Sequence, residues 1–255
     1  FDYKLFSIVD LHDIKIFAAA TVPSCIPSIR KCKHDNNNVD ILKLNGQSLE
    51  IKHSIAIDKY KKTEQNMFRT ENLSLFDDII NKIRNVKNAA KLEEVVYIST
   101  GAEIHGKEQR EENGNLISGH SKFDVLFNEF KEGLKPYIEG SAIEKSKRGR
   151  YSYPNVDYYL NYQPEIMRSS KFPELFESEK IIIRRSSGLL GILAIFDDRM
   201  YYTSEKCIIV ILKSSLPFSN KEFQVNSSIN LKYILGILNS RLMDFYYKSV
   251  FGGFI

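Results

Sequence analysis

Clustered cations are the residues of this sequence best placed to do chemistry. Lys145, Lys147, Arg148 and Arg150 fall within one short stretch, Gly149 loosens it, and Tyr151 and Tyr153 follow directly. Arg184 and Arg185 precede Ser186-Ser187-Gly188. Lysine and arginine neutralise phosphates and release counterions, and a guanidinium can also take guanine O6 and N7 with two bonds. The amides and hydroxyls of a Ser-Ser-Gly turn can add phosphate contacts. The same residues also suit plainer roles. A short basic run serves equally as a solvated loop, and paired arginines at a strand end serve equally as an ion pair.

Other combinations carry less. Asp40 followed by Glu50-Ile51-Lys52 on adjacent strands could hold Mg²⁺ and orient a water, as a nuclease centre requires. Glu50 and Lys52 share one face of a strand, which suits an exposed hairpin just as well. Cys25, Cys32 and His34 lack the paired spacing of a zinc site. His105 and His120 have no nucleophile pattern near them. No catalytic, cofactor-binding or metal-binding residue is therefore assigned. Transfer of a methyl group to a DNA amino group needs an Asn/Asp-Pro-Pro-Tyr/Phe turn to receive the flipped base. The sequence has no Pro-Pro and no glycine-rich turn after a strand. The chain is not expected to methylate anything alone.

The bulk properties bound these options. At 255 residues and 43% hydrophobic, the chain can bury the core of one large domain or two small ones. With 14 Tyr and 16 Phe spread along it, disorder is not expected. A net charge of +4 says little until the cations cluster. Three cysteines without close pairing point to a reducing compartment, and no run approaches a membrane span, so a cytoplasmic protein with no membrane partner is expected. The chain starts at Phe1 and ends on Phe-Gly-Gly-Phe-Ile, which suggests a piece of a longer polypeptide.

The elements that must position the cations fall into three zones. In the first, residues 6–11 and 21–29 read as strands, the latter weakened by Pro23 and Pro27. Residues 39–44 and 48–57 flank Asn45-Gly46, the strongest short hairpin signal in the chain. The second zone is a helix capped by Ser74 with Asp77 three residues on, carrying Phe76, Ile79, Ile80, Ile83 and Val86 on one face. In the third, residues 94–100 read as a strand, 106–120 as a loop, 123–130 as a short helix and 164–177 as partly helical. Residues 180–185, 190–196 and 206–213 suggest an antiparallel meander. One amphipathic helix, with Leu231, Ile234, Leu235, Leu238, Leu242 and Phe245 on its face, closes the chain.

Four stretches in order then resemble one family. Gly133-Leu-Lys-Pro-Tyr-Ile-Glu-Gly-Ser-Ala-Ile is the first, and Phe172-Pro-Glu-Leu-Phe-Glu-Ser-Glu-Lys-Ile-Ile-Ile-Arg-Arg-Ser-Ser-Gly the second. Asp197-Asp198 with Tyr201-Tyr202-Thr203 is the third, and Tyr233-Ile-Leu-Gly-Ile-Leu-Asn-Ser-Arg-Leu-Met-Asp-Phe-Tyr-Tyr-Lys the fourth. Together they resemble the TaqI-like C-terminal specificity domain, whose usual opening is similar to Lys91-Leu-Glu-Glu-Val-Val-Tyr-Ile-Ser-Thr-Gly. Residues 8–11 and 22–31 are similar to the strands that follow the catalytic turn of adenine DNA methyltransferases. The resemblance implies an α+β chain: residues 1–72 the end of a methyltransferase-like α/β domain, 73–91 a connecting helix, and 92–255 a target-recognition domain with an antiparallel meander and flanking helices. It implies the target-recognition portion of a type IIG restriction–modification enzyme or an adenine methyltransferase. The partners would be double-stranded DNA and the rest of the host polypeptide. S-adenosylmethionine, and Mg²⁺ for a nuclease host, would bind outside this chain. Lys145, Lys147, Arg148 and Arg150 are expected along the backbone, and Arg184, Arg185, Ser186 and Ser187 at the groove. Base choice is expected from residues 101–120 and 201–205, Tyr202 among them. The alternatives are a Mg²⁺-dependent nuclease fragment built on Asp40, Glu50 and Lys52, and a protein-docking module that uses the final helix.

Overall fold

The structure, a computed structural model, describes residues 3–12, 14–17, 24–32, 38–61, 70, 77–87, 89–106, 109–110, 116–118, 121–144, 154–156, 158–186, 191–216 and 229–251. The architecture is α+β and mostly strands: several small sheets with six helices among the described residues, none of the sheets closing into a barrel. The chain divides into two units, residues 1–86 with 248–255, and residues 87–247.

The first unit is built on one four-stranded sheet. Its strands are β1 (Tyr3–Asp10), β2 (Cys25–Lys31), β3 (Asn38–Asn45) and β4 (Ser48–Ala56), in the order β2-β1-β3-β4. β1 and β3 run parallel, and the other pairs are antiparallel. The hairpin forms where Asn45-Gly46 marks it, offset by one residue: Asn45 pairs with Ser48, so Gly46 and Gln47 make the turn. Gly46 takes a φ of 60°, a left-handed conformation that glycine adopts without cost. One face of the sheet buries Leu5, Ile8, Val39, Ile41 and Ile55 with Ile57 and Tyr60 from the short helix α1 (Ile57–Lys61). The helix expected from Ser74 is observed as α2 (Asp77–Arg84), and Ser74 and Phe76 lie outside the described residues.

The second unit centres on four antiparallel strands in the order β14-β13-β16-β5: β5 (Val96–Thr100), β13 (Lys180–Arg184), β14 (Ala194–Asp197) and β16 (Cys207–Leu212). The expected meander is thus corrected in its order. β13 lies between β14 and β16, and β5 completes the sheet from far upstream. Nearly continuous apolar runs such as Ile181-Ile182-Ile183 arise because both faces are covered. Ile181 and Val210 meet Leu231, Ile234 and Leu238 of α5 (Leu231–Leu238) on one side. Ile182 packs with Ile138, Ile143 and Cys207 on the other, while Ile209 and Ile211 join a core with Tyr137, Leu160, Phe176 and Tyr202. Each such fully buried side chain stabilises by about 1.5–3 kcal/mol.

Smaller elements complete this unit. A second sheet has the order β15-β10-β11-β9, from β9 (Leu126–Phe127), β10 (Lys135–Ile138), β11 (Tyr158–Leu160) and β15 (Tyr202–Thr203). β6 (Glu103–Gly106) pairs with β12 (Met167–Ser169), and β7 (Gln109–Arg110) with β8 (Leu116–Ser118). The stretch 106–120, expected as a loop, therefore contains a short ladder. Residues 123–130 do not form the expected helix: a 3-10 turn at Lys122–Asp124 gives way to β9, because Leu126 is drawn into pairing with Leu160. Residues 164–177 hold β12 and only one turn of helix, α4 (Glu174–Glu177). Residues 92–95 form a helical turn, α3 (Leu92–Val95), before β5 begins.

The final helix is broken into α5 and α6 (Arg241–Phe251). Asn239 ends α5 and gives its side-chain amide to the Ala194 carbonyl of β14 at 2.9 Å, while the Ser240 hydroxyl accepts from Met243 N at 3.1 Å and starts the next helix. Such polar side chains compete with the helix's own ladder. The break takes Leu242, 56% exposed, out of the apolar stripe in which it was expected. Among the described residues, no helix is long and apolar enough to cross a membrane.

One buried ion pair holds the central sheet to its surroundings. Lys180 Nζ and an Asp197 carboxylate oxygen lie 2.5 Å apart, both side chains wholly buried. Lys180 also donates to the Phe176 carbonyl of α4. Asp197 accepts from Arg199 N at 2.8 Å and Tyr201 N at 3.0 Å, which closes a turn whose Met200 has a φ of 59°. Removing one partner of such a pair leaves a bare buried charge. Lys180→Met should destabilise the chain by about 3–5 kcal/mol in urea unfolding, and Lys180→Met with Asp197→Leu should recover most of that loss.

Candidate nucleic-acid interface

The strand that ends in Arg184 carries its cations to one place. Side chains alternate along β13, so Arg184 shares the face of Lys180 and Ile182, away from α5. Its guanidinium reaches the Ile143 carbonyl at 3.5 Å and the Ser186 carbonyl at 3.1 Å. Arg185 lies just past the strand. Its amide donates to the Lys206 carbonyl at 2.9 Å and its guanidinium to the Glu205 carbonyl at 3.5 Å. Both arginines thus bond to backbone oxygens, and among the described residues neither forms the ion pair that a strand end also suits.

Arg184, Arg185 and Ser186 line a groove of about 1010 Å³ in the second unit, with Lys122, Lys206, Asn128, Tyr158, Ser141 and the two carboxylates Glu139 and Glu205. Lys122 answers Glu139 at 3.1 Å, while Lys206 is exposed. Four cations therefore meet two carboxylates, one of them already paired. The groove is shaped by close backbone approach. A Cβ on Gly140 would lie 2.9 Å from the Lys206 carbonyl oxygen, and one on Gly101 only 2.2 Å from the Ser204 carbonyl oxygen. Only hydrogen fits at these two positions, and it lets the turns carrying Ser141 and Lys206 close on one another.

Of the expected DNA-contacting residues, Arg184, Arg185 and Ser186 converge on this groove. Lys145, Lys147, Arg148, Arg150 and Ser187 lie outside the described residues. Tyr202 is a correction. It is 1% exposed, its ring stacks on Phe176 at 4.4 Å, and its hydroxyl donates to Glu177 at 2.9 Å. Burial and the Glu177 bond push its phenol well above the ordinary range. Tyr202 builds the core and has no surface to offer a nucleic acid. Tyr201, Thr203 and Ser204 are buried with it, so of the 201–205 stretch only Glu205 reaches the groove.

Sequence reasoning missed Lys122, Asn128 and Lys206. They come from distant elements, and Lys206 reads as the polar start of an apolar strand. The usable signal was turn chemistry: Ser204-Glu205-Lys206 separates two apolar runs.

The metal centre of the alternative nuclease reading does not assemble. Asp40 pairs with Ser54 and accepts its hydroxyl at 2.6 Å, whereas Glu50 pairs with Lys43 and accepts from Asn45 at 3.0 Å. Three positions along β3 place Asp40 and the Glu50 pair on opposite faces. Lys52 turns to Asp10 at 3.6 Å. Among the described residues, no three His, Cys, Asp or Glu side chains gather as metal ligands would. The cysteines are free, and burial, with Glu139 nearby, pushes the Cys207 thiol up to about 12.

Residues 135–253 match the family model of the TaqI-like C-terminal specificity domain. The match takes in the last three motifs that carried the resemblance and the first from Lys135 onward, along with Arg184, Arg185, Ser186, Glu205 and Lys206. No curated protein matches the chain.

Two outcomes follow from the placement of Tyr202. Tyr202→Phe should lower stability by about 1 kcal/mol through loss of its bond to Glu177, and leave DNA affinity unchanged in a binding titration. The Lys135 ammonium at 2.8 Å, and next the Tyr202 hydroxyl, hold the Glu177 carboxyl below its ordinary value of 4.5. A depressed carboxyl stabilises above its unfolded pKa, and that contribution is lost as pH falls through the folded value. Thermal melts taken downward from about pH 6 should therefore fall less steeply in Glu177→Gln than in the parent chain.

Proposed function

We propose, from the TaqI-like specificity domain matched over residues 135–253, that this chain binds duplex DNA and reads its sequence as the target-recognition portion of a restriction–modification enzyme or adenine DNA methyltransferase. That match is the observation that carries the reading, and the groove's charge supports it. Arg184 and Arg185 reach it from the end of β13 and Lys206 from the turn before β16, and among the described residues none of the three forms an ion pair. A polyanion brings the countercharge they lack, with release of its condensed ions. Ser141 and Ser186 can add hydroxyl bonds to phosphate oxygens. The basic run Lys145, Lys147, Arg148 and Arg150, with Ser187, would extend this contact along the backbone.

In this reading the chain holds the duplex and another part of the host polypeptide works on it. Recognition fixes register on the DNA, so that a separate methyltransferase domain can extrude an adenine and methylate it with S-adenosylmethionine. A host with nuclease activity would use Mg²⁺ in a further domain. The first unit, with β1 and β3 parallel, would be the end of the methyltransferase-like domain. The three free cysteines and the DNA partner suit the cytoplasm.

The experiment is a binding titration against salt, with duplex DNA of mixed sequence. Affinity should fall steeply as salt rises, and the double variant Arg185→Ala, Lys206→Ala should weaken binding to all sequences alike. It should also flatten the log–log slope by about two, near one unit per phosphate contact. Affinity that ignores salt, or a double variant that binds as the parent does, would reject the reading.

A further inference from the structure

Within the groove, one group works against any polyanionic ligand. Glu205 lies beside Arg184, Arg185 and Lys206, yet among the described residues its carboxylate takes neither a hydrogen bond nor an ion pair. Glu139, the other carboxylate there, is held by Lys122 at 3.1 Å. The turn that carries Glu205 is, by contrast, held by several hydrogen bonds. The Glu205 carbonyl accepts from Arg185 at 3.5 Å, Lys206 N reaches the Ser204 hydroxyl at 3.4 Å, and Cys207 N donates to the Ser204 carbonyl at 3.0 Å. Arg185 N fixes the Lys206 carbonyl at 2.9 Å, and Gly140 lies close against it. A half-buried carboxylate is thus carried on a rigid turn and left unpaired among cations.

Against DNA, such a group repels every phosphate and lowers affinity for all sequences. An ionised carboxylate only accepts hydrogen bonds, so it gains from the duplex only where the duplex offers a donor. On the base edges of the major groove, the donors are the exocyclic amino groups, N4 of cytosine and N6 of adenine. We propose that Glu205 is a specificity-determining residue of this groove, accepting a hydrogen bond from the exocyclic amino group of a cytosine or adenine. The division of labour is then physical: Arg184, Arg185 and Lys206 supply sequence-independent attraction, and Glu205 gives up part of that attraction for discrimination. A thymine or guanine at the same place presents an acceptor oxygen, O4 or O6, and meets the carboxylate with repulsion. The proposal rests on the DNA-binding reading above, and the test separates the two.

The whole chain and its Glu205→Ala and Glu205→Gln variants are each used to select from a randomised duplex library. Their affinities are then measured on the selected duplex and on its single-base variants. The parent should select a motif in which one cytosine or adenine loses its preference in Glu205→Ala, by roughly five- to 150-fold at that position alone. Which base is lost distinguishes cytosine N4 from adenine N6. Affinity of Glu205→Ala for unselected duplex should equal or exceed the parent's. If both variants keep the parent motif and gain affinity evenly on every duplex, Glu205 only tempers the charge of the groove and the proposal is overturned. A parent that binds duplex without selecting any motif overturns it too, while leaving the DNA-binding reading intact. A parent that binds no duplex at low salt overturns both.

Discussion

At the centre of the second unit lies a charge pair with no access to water, and neither partner can be left there alone. Lys180 begins β13 and Asp197 ends β14, and the two meet in the register that pairs Lys180 with Asp197 across the sheet. Burial lowers the pKa of Lys180, and the Asp197 carboxylate opposes that shift. Each charge is also bonded to backbone: Lys180 to α4, Asp197 to the amides of the turn that leads to Tyr201. Such pairs are seldom strong sources of stability, because desolvation offsets the attraction, but a pair with so many fixed partners tolerates few alternative arrangements. The register it sets places Arg184 at the far end of β13 and directs the chain through Tyr202 to the turn at Glu205 and Lys206. The groove is a consequence of that placement.

This explains how a core tyrosine and a surface cation can come from the same short motif. Asp197-Asp198 and Tyr201-Tyr202-Thr203 read in the sequence as a break between strands and a loop. In the fold, Asp197 neutralises Lys180, Tyr201 donates to the Pro154 carbonyl at 3.3 Å, and Tyr202 stacks on Phe176. The motif builds the platform, and Glu205 and Lys206 just beyond it line the groove. The Asn239-Ser240 pair does similar work at the other edge: it stops α5, ties it to β14 and starts α6.

Local chemistry was the legible part of the sequence. Asn45-Gly46 marked its hairpin to within one residue because a two-residue turn demands a left-handed glycine. The runs at 180–185 and 206–213 marked their strands because branched apolar side chains fill both faces of a covered sheet. Long-range order was not legible. Nothing in residues 96–100 says that they pair with 208–212, since the pairing depends on tertiary packing. The same cause hid most of the groove. Lys122, Glu139, Arg185 and Lys206 are far apart in sequence and meet only because β10, β13 and β16 converge. Helical pattern also overreached at 123–130, where a local preference gave way to pairing with β11.

The central claim is that duplex DNA occupies the groove formed by Arg184, Arg185 and Lys206. Hydrogen–deuterium exchange of the chain, with and without saturating duplex at low salt, addresses it directly. The account predicts added protection at residues 139–143, 184–186 and 204–207, with the sheet of the first unit unchanged. Protection confined to the first unit, or none at these three stretches while DNA is bound, would contradict it.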